Sequence, residues 1–186
     1  MEDTTLKPVS SPEKLIFKHL PRFARFIREQ HLEQYIRVQL SGARELNTPL
    51  LRIFDSLSDE DIIKASMPGH IEFLQAAEEN RLGALLEESS RKWINDQLEG
   101  ISRDAIEAED ITQVSYLRKN AMMHYIPLYT SEMTVALELV REIDQCQLEA
   151  DTISINTYMD ILQERLEMQT HALKESEEIL LQAQTI

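Results

Sequence analysis

From Leu128 to Ile186 the chain contains neither glycine nor proline. A run that long without a breaker allows one uninterrupted helix from Ser131 to near the end, about 80 Å at 1.5 Å per residue. From Leu148 onward, core-type positions step forward by four and three: Leu148, Thr152, Ile155, Met159, Leu162, Leu166, Gln169, Leu173, Ser176, Leu180 and Ala183. Such a repeat lays a narrow apolar seam along a helix, which a second copy of the same seam buries most easily. Ile155, Met159, Leu162, Leu166, Leu173 and Leu180 are therefore the expected dimer seam. Gln169 and Ser176 interrupt it, so association is expected to be firm near Met159 and looser toward the end. Two alternatives stay open: a terminal helix that lies back on its own domain, and a break around Asp151–Thr152.

Elsewhere the four glycines and six prolines are few and localised, the pattern of an all-helical protein. Residues 1–11 read as a flexible lead. Ser11 before Pro12 is a plausible helix entry. The stripe Leu15, Ile16, Leu20, Phe23, Phe26, Ile27, Leu32, Ile36 and Leu40 predicts helix over 12–40, kinked or divided by Pro21 and ended by Ser41–Gly42. Thr48–Pro49 opens a second segment, and Ser58 with Asp61 resembles a reciprocal cap for a short helix that Pro68–Gly69 stops. His70–Ile94 reads as one helix, in which Gly83 implies a close helix crossing. Past Gly100, Ser102 or Asp104 caps a short segment. Asp110 starts a helix that Pro127 interrupts, and Thr130 or Ser131 starts the last. No stretch alternates with period two, so no sheet is expected. The fold class is an all-α bundle of about seven helices, with residues 12–147 as the domain and 148–186 as a coiled-coil linker.

A net charge of -14 argues against nucleic acid and anionic membranes, which need a surplus of Lys and Arg on one face. The opening residues show no signal-peptide pattern and no stretch has the length of a membrane span, so a cytoplasmic location is expected. The single cysteine, Cys146, forms no intrachain disulfide and has acidic neighbours that disfavour a thiolate. His19, His31, His70, His124 and His171 are scattered without metal-ligand spacing, and no glycine-rich phosphate loop occurs. No metal, cofactor or catalytic set is expected. The richest local mixture is Tyr116–Pro127. Its Tyr116, Met122, Met123 and Tyr125, with Trp93, are the candidate lining of a hydrophobic ligand pocket, although ordinary core packing accounts for the same residues.

The run AMMHYIPLYT at Ala121–Thr130, followed by LELVREID at Leu137–Asp144, resembles the later helices of globin-like sensor domains that lack haem, such as the amino-terminal domains of stressosome RsbR-type proteins. Tyr158–Glu167 and LKESEEILLQAQ at Leu173–Gln184 are similar to the segment that leads into PAS domains in bacterial sensor histidine kinases. The resemblance implies a globin-like fold and a non-catalytic sensory and dimerising module. It also implies a homodimer with PAS and kinase domains downstream in the same chain. A small ligand in the bundle is one form the stimulus would take. The resemblance also makes His124, and secondarily His70, the candidate iron ligand of a haem-containing variant of the fold. A standalone acidic adaptor that binds a partner protein is the alternative reading of the same charge and terminal helix.

Overall fold

The computed structural model describes residues 16–184, all of whose regular structure is helical. The expected lead over 1–11 and the Ser11–Pro12 entry lie outside the described residues. Six α-helices follow in order: α1 (Leu20–Gln30), α2 (Leu32–Glu45), α3 (Asp59–Glu78), α4 (Leu82–Ile94), α5 (Ala108–Tyr129) and α6 (Met133–Gln184). Two 3₁₀ turns, Pro49–Phe54 and Arg103–Ala105, carry the chain from α2 to α3 and from α4 to α5. One core holds them together. Leu20, Phe23 and Ile27 of α1 and Tyr35 and Ile36 of α2 meet Leu74 and Ala77 of α3, with Tyr125 of α5 and Leu139 and Ile143 of α6 closing the cluster.

Several helix boundaries differ from those the breakers imply. Pro21 neither kinks nor divides a helix: it stands in the first turn of α1, where its missing N–H costs nothing. The division comes instead at His31. Gly42 does not end α2, which continues to Glu45. A Cβ there would stand 2.5 Å from Leu117 Cδ2, so the glycine lets α2 cross close to α5. Pro68–Gly69 does not stop α3, and His70–Ile94 is not one helix. Pro68 and Lys64 face solvent, so water takes up the carbonyl the proline leaves without a donor. The break falls at Asn80, whose φ of 52° is left-handed. Its side-chain oxygen accepts from Phe17 N–H at 2.9 Å and its amide donates to the Phe17 carbonyl at 3.3 Å. Asn47 and Asp96, at φ of 53° and 54°, lie just past α2 and α4 in the same way. Pro127 likewise sits within the exposed last turn of α5 rather than interrupting it.

Ser58 caps α3 by accepting from Asp61 N–H at 3.2 Å, and its hydroxyl in turn donates to the Asp61 carboxylate at 2.7 Å. The shorter Asp thus reaches the cap's side chain instead of its backbone. Gly83 of α4 faces Glu149 of α6, with an added Cβ 3.1 Å from the carboxylate, the helix crossing its place in the sequence implies.

Two buried or half-buried carboxylates tie distant segments together. Asp110 is 1% exposed; its oxygens accept from Leu50 N–H at 2.7 Å and Glu107 N–H at 2.8 Å, capping the 3₁₀ turn and α5 at once. Glu142 of α6 accepts from the backbone N–H groups of Lys18, His19 and Leu20 at 2.6–3.2 Å, capping α1, whose own N-cap side chain makes no such bond. Beside it Glu138 accepts from His19 and pairs with Lys18. The entry to the fold is thereby held on α6.

Candidate functional site

α6 is 52 residues long and apolar on two opposite sides. The inner side buries Leu139, Ile143, Cys146, Ala150, Thr157 and Ile161 against α5 and α4. Thr157 shares a hydroxyl hydrogen bond of 2.6 Å with Ser90, and Tyr158 stacks on Trp93 with ring centres 6.2 Å apart. Leu148, Ile155, Met159 and Leu166 stand nine residues beyond Leu139, Cys146, Ala150 and Thr157. Nine residues is about two and a half turns, so each seam residue points away from the domain. Their exposures agree: 69% for Leu148, 47% for Ile155, 58% for Met159 and 63% for Leu166. Leu162 is half-buried, while Leu173 and Leu180 are exposed.

The helix leaves the domain at Arg165. Arg103 pairs with Glu164 at 2.8 Å and Arg165 with Asp104 at 2.5 Å, the last cross-links to the domain. From Leu166 to Ala183 every residue is exposed, a rod of about 27 Å at 1.5 Å per residue. The helix thus lies on its own domain for about its first two thirds and projects over its last third.

The five residues of the candidate pocket do not share one cavity. Met122 is buried in the core beside Phe73, Ile143 and Cys146. Tyr125, three residues on along the same buried face of α5, has its ring against His31, Tyr35 and His124. Met123 packs partly buried at the edge of the core. Tyr116 is half exposed and lines a shallow surface depression with Leu46 and Gln113. Trp93 borders a groove of about 340 Å³ between α3, α4, α5 and α6, more enclosed than the wide depression of about 480 Å³ at Tyr116. Four of the five lie along α5 at spacings that point them in several directions, and Trp93 belongs to α4.

That groove holds what residue-type reasoning passed over. Phe73, Leu85, Leu86, Ile111 and Val114 form its apolar wall, and Arg118 and Asp151 supply charge. The Arg118 guanidinium lies 4.2 Å from the Phe73 ring centre, a cation–π contact. The signal was present: Arg118 lies on the same face of α5 as Ser115 and Met122, three and four residues away, both buried.

Arg118 also sets the electrostatics of the interior. His70, half-buried with its ring edge-on to Tyr35, is pushed down to about 4 by burial and by the Arg118 charge, so it is neutral near pH 7. Cys146 is pushed up to about 11 by burial, an inert thiol. Tyr35 is raised further still by burial, and its buried hydroxyl lacks a hydrogen bond of acceptable geometry even with Gln39 beside it. His124 stands on the exposed side of α5. No grouping of three His, Cys, Asp or Glu among the described residues is arranged to hold a metal ion, and none of the helices searched is long and apolar enough to cross a membrane.

Compared with family models, curated proteins and solved structures, the chain matches none.

Proposed function

We propose that this chain is a sensory and dimerising module of a bacterial signal-transduction protein. Two copies pair in parallel through the outer face of α6, and a packing change in a globin-like bundle is carried along that helix to PAS and kinase domains beyond Ile186. The observation that carries the reading is the two-sided character of α6. A terminal helix that serves only its own fold needs one apolar side. A second apolar stripe, opposite the first and at heptad spacing, gains nothing until another helix covers it.

The same geometry supplies the coupling. Leu139, Ile143 and Cys146 are core residues, whereas Leu148, Ile155 and Met159 lie on the seam of the same unbroken helix. Any rotation that repacks the first set turns the second by the same angle. Gln169 and Ser176 lower the stability of a paired rod and bring alternative registers closer in energy. PAS and kinase domains come into the proposal from the resemblance of Tyr158–Glu167 and Leu173–Gln184 to the linkers that precede them.

Light scattering of the whole chain tests the pairing. The expected mass is twice the 21.6 kDa of one chain. Leu162→Lys with Leu166→Lys is expected to return it to the single-chain value while the helical circular dichroism of the bundle persists. An unaltered monomer would end the proposal.

A further inference from the structure

The groove between α3, α4, α5 and α6 is lined by two charged side chains, Arg118 and Asp151, that form no ion pair with any other described residue. Among the described residues Arg118 forms no ion pair and no hydrogen bond, its one contact of note being the Phe73 ring. This is unusual in a chain with 33 acidic and 19 basic side chains, where acceptors are abundant. Asp151 also lines the groove, at its border with the depression beside Leu46 and Gln113, and among the described residues its half-buried carboxylate makes no ion pair or side-chain hydrogen bond. A half-buried carboxylate without a donor costs free energy that a donor reaching its accessible oxygen would restore. The two groups do not pair with each other, although both border the same space. Asp110 is a different case, since both its oxygens are engaged by backbone N–H groups.

A ligand for this groove must therefore present an anion to Arg118, a cationic donor to Asp151, and an apolar body to the wall of Phe73, Leu85 and Trp93. A plain carboxylate satisfies the guanidinium and leaves Asp151 unpaired, with the Glu72 carboxylate at the rim adding repulsion. A plain amine satisfies Asp151 and is repelled by Arg118. A zwitterion meets both charges and carries no net charge into an acidic protein. The space of about 340 Å³ lies at the lower end of the range for small-molecule sites.

We infer that the Arg118–Asp151 groove binds a small zwitterion with an apolar side chain, of the free α-amino acid class. The inference goes beyond the signalling role and does not require the seam to pair, because every residue it uses lies within one copy.

Trp93 is the single tryptophan and borders the groove, so its emission reports occupancy directly. The whole chain is titrated with L-phenylalanine and L-leucine, and with 3-phenylpropionate and phenethylamine, which lack the ammonium and the carboxylate respectively. Saturable quenching or shift of Trp93 emission, matched by heat in calorimetry, is expected for one or both amino acids, with the two truncated compounds at least about tenfold weaker. Arg118→Met, which keeps an apolar stem over Phe73, and Asp151→Asn are each expected to weaken amino-acid binding by about tenfold or more. The Leu162→Lys, Leu166→Lys variant is expected to bind as the unaltered chain does, which separates this inference from the pairing. No saturable binding of either amino acid would overturn it, as would 3-phenylpropionate or phenethylamine binding equally well. The comparison among compounds uses the unaltered chain, so it decides the matter even where a substitution impairs folding.

Discussion

His70 shows how a single side chain makes the bundle sensitive to acid. Its ring sits with Tyr35 and Gln39 under the influence of Arg118, and its folded pKa of about 4 lies below the usual value of 6.5. As pH falls below the usual value the unfolded chain takes up the proton first, so stability declines toward pH 4 and levels off once the folded form is protonated too. Full stability from this group is present above pH 6.5, and the span of the shift corresponds to about 3 kcal/mol. Urea midpoints measured between pH 7 and 4 are expected to fall, and His70→Leu is expected to flatten that slope. Cys146 gives a second check. With its thiol pushed up to about 11 inside the core, an aromatic disulfide reagent at pH 8 is expected to react only on unfolding. The sequence pointed to a disfavoured thiolate at Cys146, though through acidic neighbours rather than the burial that dominates, and gave no sign of the environment of His70. His70 and Arg118 are far apart in the chain, and only the packing of both α3 and α5 against α2 brings the charge of one near the other.

Helix existence was legible from apolar spacing, and so were starts such as Ser58 and Thr48–Pro49, whereas the C-terminal stops were not. Pro68, Gly69 and Pro127 carry the conventional marks of a stop, yet each is exposed, so the hydrogen bond that each proline removes is lost on the solvent side while Gly69 keeps its own N–H. The actual stops after α2, α3 and α4 are at Asn47, Asn80 and Asp96, whose short polar side chains tolerate left-handed backbone. Asn80 became the stop because its side chain also holds the backbone of Phe17, a contact no local pattern reveals. Glycines within helices divide accordingly. Gly42→Ala, with the new Cβ 2.5 Å from Leu117 Cδ2, is expected to destabilise the fold by about 1–3 kcal/mol through overpacking. Gly69→Ala meets nothing within 4 Å and is expected to stabilise it by about 0.5–1 kcal/mol through helix propensity. Thermal melts of the two variants should shift in opposite directions. Glu142→Ala removes the acceptor that caps α1 and is expected to cost about 1–3 kcal/mol, a loss that Glu142→Gln recovers in part.

At the scale of the molecule, the sequence pattern captured the long helix, and the exposed apolar stripe along it, because both depend only on spacing within one element. The groove depends on four elements meeting, so its charged pair escaped notice while the aromatic and methionine residues of α5, scattered around that helix, drew attention. Together α6 and the groove set a charged, apolar-walled space on one side of the rod and an exposed apolar stripe on the other. Ala150 and Asp151 border the groove, and Leu148 and Ile155 flank them on the seam. The central claim is that the outer face meets its own copy in parallel. Disulfide trapping tests it most directly, because the native Cys146 is buried and stays silent. In a parallel, in-register pair Leu173 faces its counterpart, whereas Glu178 points away from the seam. Under mild oxidation Leu173→Cys should convert to a covalent species of twice 21.6 kDa, while Glu178→Cys should remain a single chain. Equal cross-linking at the two positions, or none at Leu173→Cys, would contradict the account.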